Sequence, residues 1–109
     1  MATSYKVLGQ AAPDATTNTD VYTVPSATEA VISTIAVANR SATARTFRVA
    51  VRPDGAAISN EHYIAYDVEI LASDTTTLTF GITMDAGDVL TVYGSTADLS
   101  FNVFGSEIS

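Results

Sequence analysis

A chain of 109 residues, 47% hydrophobic and 16% charged, has the size and composition of one folded domain, which excludes a two-domain protein and a disordered segment. Twelve acidic side chains outweigh five basic ones, and with a net charge of -7 and no basic run the chain is a poor match for nucleic acid, whose affinity comes from neutralised phosphates. It has no cysteine for a disulfide or a thiolate metal site, and no stretch approaches the ~20 apolar residues of a membrane-spanning helix.

In chain order, Met1 to Lys6 lacks the apolar core of a secretory signal, so the expected place of synthesis and folding is the cytoplasm. Tyr5 to Gln10 reads as a first strand, and the polar run Ala11 to Thr19, with Pro13, Asp14 and Asn18, as an exposed loop; residues 1–19 together form an N-terminal arm that is expected to move. Val21 to Val24 is a short strand stopped by Pro25, which donates no ladder hydrogen bond and belongs at an edge or a strand end. Ser26 to Thr28 is a turn.

Ala30 to Ala38 is rich in β-branched residues, with Val31, Ile35 and Val37 on one face and Ile32 on the other. The turn Asn39 to Thr43 leads into Ala44 to Arg52, where Phe47, Val49 and Val51 alternate with Arg48, Ala50 and Arg52, and the pair is expected to be a hairpin with a longer loop. Asn39-Arg40-Ser41 matches the glycosylation pattern by accident, given the missing secretory signal. Pro53-Asp54-Gly55 is a strong turn. Glu61 to Leu71 alternates again, placing His62, Ile64, Tyr66, Val68 and Ile70 on one side and Tyr63, Ala65, Asp67 and Glu69 on the other.

Ala72-Ser73-Asp74 turns the chain into Thr75 to Thr83, with Leu78, Phe80 and Ile82 on its buried face. Asp85 to Asp88 turns it into Val89 to Tyr93, and Gly94 to Asp98 into Leu99 to Phe104, leaving Glu107 to Ser109 unassigned. About eight strands at this spacing predict a single all-β domain over residues 1–109, an antiparallel sandwich of immunoglobulin-like or jelly-roll topology. The length favours the immunoglobulin-like order. The expected core is Phe47, Val49, Val51, Leu78, Phe80, Ile82, Leu99, Phe101 and Val103, each worth ~1.5 to 3 kcal/mol when buried.

Reactive chemistry is scarce. His62 is the only histidine, which excludes a two-histidine metal site, and a histidine at a strand start is expected to pack beside Tyr63 or Tyr66. No pattern supplies a nucleophile with its base, so neither an enzyme nor a cofactor or small-molecule substrate is expected. Asp85 and Asp88 offer oxygens to calcium but fall well short of a calcium loop, and the better reading is that they cap local backbone amides. Arg40, Arg45, Arg48 and Arg52 are four of the five basic residues; they either form one basic patch for an acidic partner or make cross-strand pairs with Glu61, Asp67 or Glu69, the commoner outcome. Tyr63, Tyr66 and Tyr93 are candidate exposed aromatics for a glycan.

Three runs, Asp20 to Pro25, Glu29 to Arg40 and Thr46 to Arg52, together with Asp85 to Tyr93 and Leu99 to Gly105, resemble small virion-associated β-sandwich proteins of tailed bacteriophages across nearly the whole chain. The resemblance carries structural motifs and no catalytic residue. It implies a non-enzymatic virion component assembled in the host cytoplasm, foremost a homo-oligomeric capsid decoration (cement) protein that bridges major capsid subunits from outside. A tail, neck, baseplate or fibre component, or a host-surface or glycan-binding module, is the alternative. For the cement reading the candidate subunit contacts are Tyr5, Lys6, Arg45, Arg48 and Arg52.

Overall fold

Alternating side chains on a two-residue beat can bury one face only by stacking two sheets, and that is how the chain folds. The computed structural model describes residues 2–109, which form nine antiparallel strands: β1 (Thr3–Ala11), β2 (Thr19–Thr23), β3 (Glu29–Asn39), β4 (Arg45–Arg52), β5 (Tyr63–Ile70), β6 (Thr75–Leu78), β7 (Ile82–Met84), β8 (Val89–Gly94) and β9 (Leu99–Ile108). One sheet runs β1-β9-β3-β6, with β7 continuing the line of β6 along β3; the other runs β2-β8-β4-β5. Taken as one broken strand, β6 and β7 complete two four-stranded sheets in jelly-roll order.

The immunoglobulin-like order favoured on length is therefore corrected, because β1 pairs β9 instead of its chain neighbour β2. The expected hairpin across Asn39 to Thr43 is corrected for the same reason: β3 lies in the first sheet and β4 in the second. Only β4 and β5 are consecutive in sequence and paired to each other. Turn residues reverse the chain locally, but whether the return strand rejoins its own sheet or crosses to the other depends on partners far away in sequence.

Phe47 and Phe101 meet edge to face at the centre, ring centroids 6.1 Å apart and planes at 74°, surrounded by buried Ile32, Ile35, Ile70, Leu90 and Leu99. Of the expected core, Phe47, Val49, Leu99, Phe101 and Val103 are buried, and Val51, Leu78 and Ile82 pack against them in part. Phe80 is 52% exposed. It sits where the expected strand Thr75 to Thr83 breaks: Leu78 pairs Ile35 and Ile82 pairs Ile32, so Thr79, Phe80 and Gly81 oppose only Ser33 and Thr34 and leave the ladder.

That break belongs to a line of irregularities across the first sheet. On β1 the register shifts between Val7 and Gly9, opposite Phe104 and Val103 of β9, and on β3 between Ile32 and Thr34, opposite Gly105 and Phe104. An extra residue inverts the in-and-out order beyond it, so Ile32 joins Ile35 and Val37 in the core while Val31 turns partly outward, the reverse of the simple alternation. A second inversion occurs in β5, where Asp67 adopts a left-handed backbone (φ 50°). Ala65 faces inward before it, Val68 and Ile70 after it, and Ile64 and Tyr66 are exposed instead of sharing the buried side; a further register shift between Ala65 and Tyr63 sets Tyr63 opposite Ala50, on the outer face.

Asn39 closes one end of the sandwich. Its carboxamide, 3% exposed with its residue, donates to the carbonyls of Thr43, Ile70 and Leu71 and accepts from the Ser41 amide and hydroxyl. The β3–β4 and β5–β6 crossings are thereby held together, and the Arg40 amide donates to the Asp98 carbonyl of the β8–β9 crossing beside them. The side chain that completes the glycosylation pattern is thus enclosed in the folded chain. Among the described residues no helix is long and apolar enough to cross a membrane.

Candidate interaction site

β4 lies inside the second sheet between β8 and β5, and its outward residues are fixed by the parity of Phe47 and Val49. Arg48 therefore projects outward, flanked by Tyr93 directly opposite on β8 and by Tyr66, which the Asp67 bulge has turned to the same side. Its guanidinium carbon lies 4.1 Å from the Tyr66 ring centroid and 4.3 Å from that of Tyr93, a cation held between two aromatic faces. Nε and Nη2 donate to the two Asp67 carboxylate oxygens at 2.7 and 3.3 Å. That bond keeps the Arg48 guanidinium protonated well beyond its ordinary range. Tyr63 completes the group against Tyr66, centroids 4.9 Å apart at 82°.

The three tyrosines singled out in the sequence are thus brought together around one arginine, and of the two readings of Arg48 the cross-strand pair with Asp67 is the one formed. Arg52, four residues along the same face, donates to Asp20 at 2.9 Å and to the Thr91 hydroxyl at 3.0 Å. Arg45 has the opposite parity, at the start of β4, and its Nε lies 3.3 Å from an Asp98 oxygen. Lys6 is on the other sheet, 2.5 Å from Glu107. Each of these four cations has a carboxylate of its own chain as partner. Tyr5 is 85% exposed at the edge of the first sheet.

Glu107, in the unassigned C-terminal residues, proves to be a junction: it accepts from Lys6 and, at 2.5 Å, from the Tyr22 hydroxyl of the opposite sheet. Lys6 and then Tyr22 hold its carboxyl below the ordinary value of 4.5, and burial, more than Glu107, pushes the Tyr22 hydroxyl upward. A carboxylate whose folded value is depressed stabilises the fold above its unfolded value and loses that contribution as pH falls through the folded value. Urea titrations of the wild type and a Glu107→Gln variant should accordingly differ most at neutral pH and converge below pH 4.5. A gap independent of pH would assign the variant's loss to packing alone.

The Asp85–Asp88 turn caps backbone: Asp88 accepts from the amides of Asp54 and Asp85, and Asp85 from that of Ala86. Among the described residues no group of three or more histidine or acidic side chains is placed to hold a metal ion. His62 sits in a 3-10 turn and accepts through Nδ1 from the Ser59 amide, a local cap. Sequence reasoning missed the junction at Glu107 and the exposed apolar strip on the first sheet, where Tyr5, Val7 and Phe104 line a shallow groove with Val31. Alternation does mark Tyr5 and Val7 as sharing a face; that the face lies open at a sheet edge depends on topology.

No family model, no curated protein and no solved structure matches this chain.

Proposed function

We infer that this chain is a non-enzymatic structural protein of a tailed-phage virion, a decoration (cement) protein that binds the outside of the capsid shell. The observation that carries the reading is how its reactive side chains are used: the cations of Lys6, Arg45, Arg48 and Arg52 and the carboxylates of Asp85 and Asp88 serve the chain's own ion pairs and amide caps, which leaves faces and edges as what it offers other molecules. The resemblance carried by the runs Asp20 to Pro25, Glu29 to Arg40 and Thr46 to Arg52 supplies the virion context. Jelly rolls also serve in viral capsids, an analogy of fold that adds to the reading without locating a site.

Purified chain added to phage heads that lack it should co-sediment with them, saturate, and protect them against heat. Heads that neither bind it nor gain stability, alongside binding to purified tails, would move it to the tail, neck, baseplate or a fibre. A second reading, a glycan-binding module, has one specific observation in its favour: Tyr63, Tyr66 and Tyr93 converge around Arg48 on one open face. Glycan-array binding that is lost with Tyr66→Ala would favour that module over a capsid contact.

A further inference from the structure

The free edge of β1 has a defined hydrogen-bonding phase. Ala2 and Ser109 exchange both of their backbone bonds, N–H to O at 2.6 and 2.9 Å, and the register then runs unbroken from Thr3 opposite Ile108 to Val7 opposite Phe104. In an antiparallel ladder such bonded pairs alternate with unbonded ones. Ser4 and Lys6 therefore direct their backbone groups at β9, and Thr3, Tyr5 and Val7 direct theirs outward, away from the sheet. Beyond Val7 the strand bulges at Leu8, and at Gly9 the Val21 carbonyl of β2 stands where a side chain would start. The open edge is thus five residues long.

The same three residues carry the exposed side chains of the strand's outer face, Tyr5 at 85% and Val7 at 50%, next to Phe104 at 38%. Long edges with apolar side chains and free amides are places where strands add. The charge is equally particular. In a chain with twelve acidic residues, β1 has none and holds one lysine, so it is a place where two copies of a protein of charge -7 meet without acid facing acid.

We propose that β1 pairs antiparallel with β1 of a second copy, about a two-fold axis through Tyr5, joining the two first sheets into one. This register sets Tyr5 opposite Tyr5 of the second copy and Thr3 opposite Val7, which uses all three outward-facing residues on each side. Lys6 then faces Ser4. A register shifted to centre on Lys6 would set lysine against lysine, a like-charge cross-strand pair that disfavours it. The two-fold also makes the contact closed and self-complementary. The inference rests on strand geometry and not on the virion reading, so failure to bind phage heads would leave it standing.

Sedimentation velocity of the purified full chain over a concentration series, with three variants, tests it. Wild type should sediment as a dimer of the 11.4 kDa chain. Tyr5→Pro should be monomeric with an unchanged β spectrum, because proline removes an N–H that bonds nothing within the chain and is tolerated at the outward positions of an edge strand. In the cysteine-free background, Tyr5→Cys should form a covalent dimer on mild oxidation, since bonded antiparallel partners sit ~5.5 Å apart at Cα, within disulfide reach. Val7→Cys should cross-link at least about tenfold more slowly, its two copies lying four residues, ~14 Å, out of register. A wild type that stays monomeric, a dimer untouched by Tyr5→Pro, or equal cross-linking of both cysteine variants overturns the proposal.

Discussion

Gly105→Ala is expected to cost on the order of 3 kcal/mol, lowering the midpoint of thermal unfolding by upwards of ~12 °C, while Gly81→Ala costs about 1 kcal/mol. At Gly105 an added Cβ would lie against the Val31 carbonyl oxygen, with the Ile32 Cα and Leu8 Cδ1 each at 3.0 Å. The first two are backbone of β3, and β9 is hydrogen-bonded on both sides, to β1 and β3, so neither strand can move aside without disturbing its own ladder. At Gly81 nothing lies within 4 Å of the new atom, and only the left-handed backbone (φ 70°) opposes it. Chemical denaturation of both variants separates the two causes. Equal losses would mean that β9 and β3 do not approach each other at the bulge as described.

Asn39→Ala should cost about 3 kcal/mol, the second large effect. Two N–H groups shared among the Thr43, Ile70 and Leu71 carbonyls disappear and the Ser41 amide loses its acceptor; the Thr43 carbonyl keeps only the Ser41 hydroxyl and the Leu71 carbonyl only the Asp74 amide, so the tie between the two crossings is lost. Ser41→Ala, which removes a single hydroxyl, should cost about 1 kcal/mol. Asn39→Asp gives a sharper test. It keeps the acceptor for Ser41 but sets a negative charge against three carbonyl oxygens, so it should be at least as damaging at neutral pH and recover in part as acid neutralises it. A variant indifferent to pH would place the Asn39 side chain outside the enclosed turn.

The particular residues show which parts of the fold can be read from a string of letters. Local chemistry is legible: Pro25 does follow a strand at a sheet edge, Pro53-Asp54-Gly55 does turn, and the Asp85–Asp88 carboxylates do cap amides. Period-two alternation places most of the core, as Phe47, Val49, Phe101 and Val103 attest. It fails at each extra residue. Ser33 exchanges the sides of Val31 and Ile32, and Asp67 exposes Ile64 and Tyr66, because a bulge is made by the fit between two strands and has no period of its own. A faint cue existed at Asp67, since aspartate is one of the few side chains that enter the left-handed region readily.

The candidate site followed the same division. That Arg48 would pair with Asp67 was one of the alternatives open from alternation alone, whereas its stacking between Tyr66 and Tyr93 required both the β4–β8 register and the β5 bulge. Tyr5 and Lys6, adjacent candidate contacts in the sequence, point to different sides of β1. Lys6 bonds Glu107 beside Tyr22, and Tyr5 lies open on the outer face. Sequence spacing says that neighbours on a strand diverge; only the sheet order says what each one meets.

Electron cryomicroscopy of intact phage particles produced in cells that express this chain tests the proposed role most directly. The expected result is density for a two-sheet jelly roll on the outer surface of the head, touching major capsid subunits and repeated by the symmetry of the shell. Heads bare of that density, with the chain found only on the tail or missing from the particle, would contradict it.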